Sequence, residues 1–225
     1  MLLFLVLPIF LSADSASIMH INWQNKLMGR FFADISTSHL LKLSGNSFSV
    51  NGPNDYCNGL WAHISCEDAR ITRIHYSDLR VRNFRLHELP PTIEFLSIDN
   101  CYQTGTFLTR NLPRALVSLS LVQNGLSGRL DLTTLPEDLE IALFWGNRFT
   151  GPICLCHLPK RLGYLEVHAN EIAQEVVWYD NLPPGIVYIR LQNSSQLKIG
   201  RVCALDPGKA VDPKIFPGML PSAIE

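Results

Sequence analysis

The dipeptide Leu-Pro returns along this chain at a nearly fixed step, and that step limits the folds open to it. It stands at Leu89-Pro90, Leu112-Pro113, Leu135-Pro136, Leu158-Pro159 and Leu182-Pro183, spaced by 23, 23, 23 and 24 residues. A period of about 20–50 residues marks a chain of stacked units rather than one closed core. The interior of each unit repeats as well. Three residues after each Pro comes Ile93, Leu116, Leu139, Leu162 or Ile186. Three further on comes Leu96, Leu119, Ala142, Leu165 or Ile189, and two beyond that Ile98, Leu121, Phe144, Val167 or Leu191. A column of Cys101, Asn124, Asn147, Asn170 and Ser194 closes the run.

Apolar residues at i and i+2 point to one face of a short strand, so those columns predict a core. The polar column falls where the chain turns inward. A buried turn leaves backbone N–H and C=O groups in need of partners, and an Asn amide carries both donors and an acceptor. Cys101 and Ser194 have fewer bonds to give. The second half of each unit reads Gln103-Thr104-Gly105, Leu126-Ser127-Gly128 and Phe149-Thr150-Gly151, with glycine permitting a turn. The alternations Leu130-Asp131-Leu132 and Ile153-Cys154-Leu155 then predict a short second strand on the opposite side, not a long helix. An earlier degenerate unit places Ile71, Ile74 and Tyr76 in the strand columns and Leu79 in the polar one.

The pattern L-x-x-L-x-L-x-x-N is that of the leucine-rich repeat. Upstream of the first unit stands Cys57-Asn58-Gly59-Leu60-Trp61-Ala62-His63-Ile64-Ser65-Cys66. Together with the Leu/Phe-Ser/Thr-Gly element, it resembles plant-type extracellular leucine-rich-repeat proteins with a paired-cysteine N-terminal cap. The Leu-Pro opening is similar to that of secreted or surface leucine-rich-repeat proteins of protozoa. The resemblance implies a Cys57–Cys66 disulfide, with Trp61 packed over the open end of the core. It implies an α/β-type solenoid, mostly β and loop. This would be a right-handed horseshoe with a parallel sheet on its concave face and short strands and turns on its convex side. Two departures stand out. There is no second paired-cysteine cap toward the C-terminus, and no membrane span or kinase domain.

The organisation follows from these landmarks. Leu2 to Leu11 is apolar but too short to span a bilayer, and Ser12-Ala13-Asp14-Ser15-Ala16-Ser17 supplies small residues after it. Residues 1–17 therefore read as a signal peptide, although no Lys or Arg precedes the apolar run; Met19 is an alternative start. Residues 18–66 form the cap region, 67–205 about six repeats, and 206–225 a tail. In that tail Leu220-Pro221-Ser222-Ala223-Ile224-Glu225 copies the opening of a repeat. Either the chain is cut within a further repeat or Val202 to Phe216 folds back as a cap. With 19 Lys+Arg against 20 Asp+Glu, nothing in the charge favours nucleic acid as a partner.

Residues flanking the core leucines face away from the core, and their columns locate the candidate site. Ile141, Leu143, Trp145, Tyr164 and Tyr188 form an apolar and aromatic patch, joined by Phe95, Glu166, His168 and Arg190. Such a patch implies a cover, and aromatic anchors are common in binding interfaces. The expectation is a secreted or cell-surface recognition module, monomeric or part of a longer protein, that binds a protein or peptide on its concave face. The alternatives are an intracellular scaffold or enzyme regulator, or a truncated fragment of a receptor ectodomain. Catalytic motifs, cofactors and metals are not expected, although Cys154-Leu155-Cys156-His157 leaves open a metal cluster, free thiols or a bridge to Cys203. Asn193-Ser194-Ser195 is a sequon, making Asn193 a candidate glycosylation site.

Overall fold

The computed structural model describes residues 13–50, 52–193, 198–209 and 211–225. Two helices open it, α1 (Ala13–Phe31) and α2 (Thr37–Leu43). Strands are numbered in chain order. One sheet runs, in spatial order, through β1 (Ile64–Glu67), β2 (Arg70–Ser77), β3 (Phe95–Asp99), β5 (Ser118–Ser120), β7 (Ile141–Leu143), β9 (Tyr164–Glu166) and β11 (Tyr188–Arg190). Only the β1·β2 pair is antiparallel; every later pair is parallel. On the other side, β4 (Thr104–Thr106), β6 (Gly125–Arg129) and β8 (Arg148–Thr150) pair in parallel, as do β10 (Gln174–Tyr179) and β12 (Ile199–Ala204). The molecule is a parallel β-solenoid.

The core fills as the columns predict. Leu96, Leu119, Ala142, Leu165 and Ile189 stand side by side and are buried, as are Ile98, Leu121, Phe144, Val167 and Leu191. Each of the larger side chains contributes about 1.5–3 kcal/mol by leaving water. Ala142 is the small member of its column. Nearby, Phe144 packs edge-on against Phe149, 5.9 Å between centroids, and both rings lie about as close to Phe107. The Leu-Pro turns also repeat: Ile93, Leu116, Leu139, Leu162 and Ile186 each donate a backbone bond to the Pro carbonyl three residues back.

The polar column is a ladder. Asn147 Nδ2 donates to Leu121 O at 2.7 Å in the preceding unit and to Phe144 O at 3.1 Å in its own, while Oδ1 accepts from Leu126 N. Asn170 repeats this one unit on, with Phe144 O, Val167 O and Phe149 N. Asn124 does so with Ile98 O, Leu121 O and the N–H groups of Cys101 and Gln103. The residue just before the ladder takes a left-handed conformation in each unit, at Asn100, Gln123, Gly146 and Ala169, so only one of the four is glycine. Cys101 is a buried free thiol, and burial pushes its ionisation upward. Ser194 lies outside the described residues.

Three features depart from the sequence reading. The convex strands sit on the Ser/Thr-Gly element itself, a few residues before the predicted alternation; Leu132–Thr134 is a 3-10 turn. Gly105 and Gly128 have positive φ, but Gly151 does not. The cap region holds two helices that apolar periodicity did not announce. Helix α1 works through its last turns. Gln24 accepts from Ile71 N and donates to Ala69 O, pairing backbone groups at the start of β2. Phe31, Phe32, Tyr56, Trp61, Tyr76 and Phe84 form one aromatic cluster over the end of the core, with Trp61 only 3% exposed. Cys57 and Cys66 are disulfide-bonded beside it.

At the other end the tail closes over the last unit. Phe216 is buried against Tyr179, and a side chain at Gly218 would run into the carbonyl of Gln192. Ile224 donates to Pro221 O, so the final Leu-Pro segment makes the same turn as the others. It pairs with Val202 of β12 on the convex side rather than with β11. No helix among the described residues is long and apolar enough to cross a membrane.

Two substitutions test this assembly. Asn147→Ala is expected to cost about 1–3 kcal/mol, since it strands buried backbone groups. Asn22→Ala, on the exposed side of α1, is expected to change stability by less than about 0.5 kcal/mol. Equal urea midpoints for the two would contradict the ladder. Cys57→Ser is expected to lower stability by about 2–4 kcal/mol under oxidising conditions and to leave it unchanged relative to wild type in reductant.

Candidate functional site

Pairing in the seven-stranded sheet carries the outward columns across neighbouring units without slippage. Arg73, Phe95, Ser118, Ile141, Tyr164 and Tyr188 form one line across the strands. Ser97, Ser120, Leu143, Glu166 and Arg190 form the next. The structure thus brings the candidate residues onto one surface. Ile141, Leu143, Trp145, Tyr188, Arg190 and Phe95 are half-buried, and Tyr164 is 39% exposed.

Glu166 and His168 differ from the rest. They occupy outward columns yet are 9% and 7% exposed, because their neighbours roof them. The Trp145 ring lies flat on His168, 5.4 Å between centroids and 11° between planes. The Tyr188 hydroxyl donates to Glu166 Oε1, and Tyr164 meets Tyr188 edge-on at 5.3 Å. Glu166 Oε2 lies 3.4 Å from His168 Nδ1, which has no other partner. The bond to Glu166, followed by burial, pushes the Tyr188 phenol up to about 12. Burial holds His168 below its ordinary value, outweighing the opposite pull of Glu166, and Arg190 adds to the lowering. The rings of Trp145, Tyr164 and Tyr188 form the outer layer of this face, with Glu166 and His168 bracing two of them from beneath.

Other polar residues hold the solenoid through hydrogen bonds that the sequence does not reveal. Asp99 on β3 accepts from Ser97 Oγ, Ser120 Oγ and Val122 N, which ties down the acid of the N-terminal half of the face. Gln103, Gln174 and Gln192 are polar plugs: Gln103 takes Phe84 N, Gln174 takes Ile153 N, and Gln192 takes Lys198 N and Ile199 N. Gln192 falls in the outward column of Trp145 and His168, whereas Gln103 and Gln174 have different offsets from the ladder and share no column. Among the cysteines, Cys154 pairs with Cys156. Cys203 is a buried free thiol opposite Trp178, with β10 between it and Cys154. Asn193 is half-buried, and the rest of its sequon lies outside the described residues.

With this geometry in hand, the comparisons place the fold. No family model matches the chain, and no curated protein matches its sequence. Solved structures do. The BIR2 ectodomain from Arabidopsis thaliana superposes with a TM-score of 0.54 at 17% identity, over 84% of this chain and 96% of that one. A chain of the BIR3–SERK2 complex, also from Arabidopsis thaliana, gives 0.53 at 17% identity, over 75% and 92%. The chain shares the leucine-rich-repeat solenoid fold of these structures.

The His168 environment makes stability depend on pH with a definite sign. Its folded value lies below the ordinary 6.5, so the unfolded chain binds the proton more readily. The contribution of the neutral ring is complete above that ordinary value and is lost as pH falls through the folded one. As pH falls below about 6.5, wild type is expected to lose stability relative to His168→Gln. Denaturant midpoints at stepped pH check this, and parallel curves would contradict it.

Proposed function

We propose that this chain is an extracellular recognition module that binds a protein or peptide partner on its concave face. The observation that carries the reading is the ring surface of Trp145, Tyr164 and Tyr188 with Ile141 and Leu143, spread over adjacent strands of a rigid sheet. Monomeric surfaces seldom hold such clusters without a partner, and aromatic residues dominate binding anchors. The fold is shared with an ectodomain and with a member of a two-protein complex, which supports binding over catalysis. The Cys57–Cys66 bridge supports an oxidising compartment. A signal peptide ending near residue 17 would leave Gln24, Met28 and Phe31, which α1 buries in the cap, in the mature chain.

Two experiments test the reading. The secreted product is expected to begin near residue 18, read by N-terminal sequencing; retention of residues 1–17 on an intracellular product would overturn the extracellular assignment. Tyr164→Ala is expected to cost at least about 2 kcal/mol of binding, roughly 30-fold in affinity, with little change in melting. Partners captured from native material by wild type should be lost from Tyr164→Ala and Trp145→Ala. Retention by both folded variants would move the site off this surface.

A further inference from the structure

Building on that reading of the concave face, we propose its occupant. It is an extended protein segment with an apolar centre and a carboxylate near each end, received by Arg73 and Arg190. The two arginines stand at opposite ends of the patch. Arg73 begins the line that continues through Phe95, Ser118, Ile141, Tyr164 and Tyr188, and Arg190 adjoins its far end on β11. Among the described residues, neither guanidinium makes an ion pair.

The acid beside Arg190 is already engaged, and so is Asp99, which stands opposite Ser77, four residues along β2 from Arg73. Glu166, next to Arg190 across the strand pair, takes the Tyr188 hydroxyl and faces His168. Asp99 takes two serine hydroxyls and a backbone N–H. Arg73 lies over the Phe95 ring, 4.1 Å from its centre, which fixes its height above the sheet without using its fork of donors. Arg190 is half-buried, and a partly desolvated cation without an anion gains most when a carboxylate arrives.

Spacing sets the ligand. Five inter-strand steps of about 4.8 Å separate β2 from β11, roughly 24 Å in all. An extended chain advances about 3.3 Å per residue, so the two carboxylates stand about six to eight residues apart. The residues between them meet Phe95, Ser118, Ile141 and Tyr164, a strip that selects apolar side chains. A basic or neutral segment of the same shape would leave both cations unanswered.

The test is a displayed library of random dodecapeptides selected against the immobilised full chain. Enriched sequences are expected to carry two Asp or Glu residues about six to eight apart around an apolar centre. A synthetic enriched peptide should bind roughly tenfold more weakly to Arg73→Gln and to Arg190→Gln, and Arg190→Lys should recover part of the loss. Its binding should also weaken as salt rises to about 0.5 M. Thermal melts confirm that the variants are folded. Enriched peptides with neutral or basic ends, unchanged binding to both Gln variants, or no enrichment over a blank surface would each overturn the proposal. Tyr164→Ala separates the two readings. Peptides that depend on Tyr164 but ignore both arginines overturn the charge pairing and leave the concave site standing. Peptides indifferent to all three overturn both.

Discussion

A solenoid turns its backbone inward once per unit, and the peptide groups at that turn are out of reach of water. Everything else in this molecule depends on pairing them. An unpaired buried donor or acceptor costs about 1–3 kcal/mol, and the penalty would recur in every unit. The amides of Asn124, Asn147 and Asn170 meet it by reaching both backwards and within their own unit. Asn147 bonds Leu121 O and Phe144 O, and Phe144 O is in turn met by Asn170. Each rung thus locks the register of the next. Because the register is locked, residues 23 positions apart in sequence lie side by side, and the concave columns exist as surfaces.

A stack held by nearest-neighbour bonds is weakest at its two ends, where the last unit has no neighbour. This chain closes them with unlike devices. The N-terminal end is covered by helix, disulfide and six clustered aromatic residues, with Gln24 pairing the backbone of Ala69 and Ile71 at the start of β2. The C-terminal end is covered by chain folded back on itself, with Phe216 buried and the last Leu-Pro turn laid along β12. That turn keeps its local hydrogen bond from Ile224 to Pro221 while its strand partner changes from the concave to the convex side. Local turn chemistry is therefore separable from the sheet it usually feeds.

What could be read from the sequence follows from what a fixed step can carry. The strand columns, the ladder and the concave lines were legible because they sit at constant offsets from Leu-Pro. The degenerate Ile71, Ile74 and Tyr76 unit was legible for the same reason, and all three are buried. Helix α1 was not, because its inward face includes Gln24, a polar residue buried by the hydrogen bonds it makes. The convex strands were misplaced by a few residues because Leu130, Leu132 and Ile153 are buried in a turn and loop rather than a strand. The plugging roles of Gln103, Gln174 and Gln192 were not legible, although Gln192 sits in an outward column, since each serves a different gap. Their use is tertiary, and no period repeats it.

The same distinction explains the candidate site. Spacing placed Trp145, Glu166 and His168 on one face, but only the structure puts the acid and the imidazole under the rings. A flat ring stacked on a half-satisfied imidazole has fewer positions open to it than a ring standing free in water. The Tyr188 hydroxyl, tied to Glu166, likewise fixes one ring and through it the edge-on Tyr164. Side chains ordered before a partner arrives lose less entropy on binding. Burying Glu166 and His168 costs desolvation, and the gain is a rigid aromatic surface on a sheet whose register the asparagine ladder already holds. The concave face and the ladder are thus two consequences of one constraint, since without a fixed register neither the stacked rings nor the cations flanking them would stand at defined spacing.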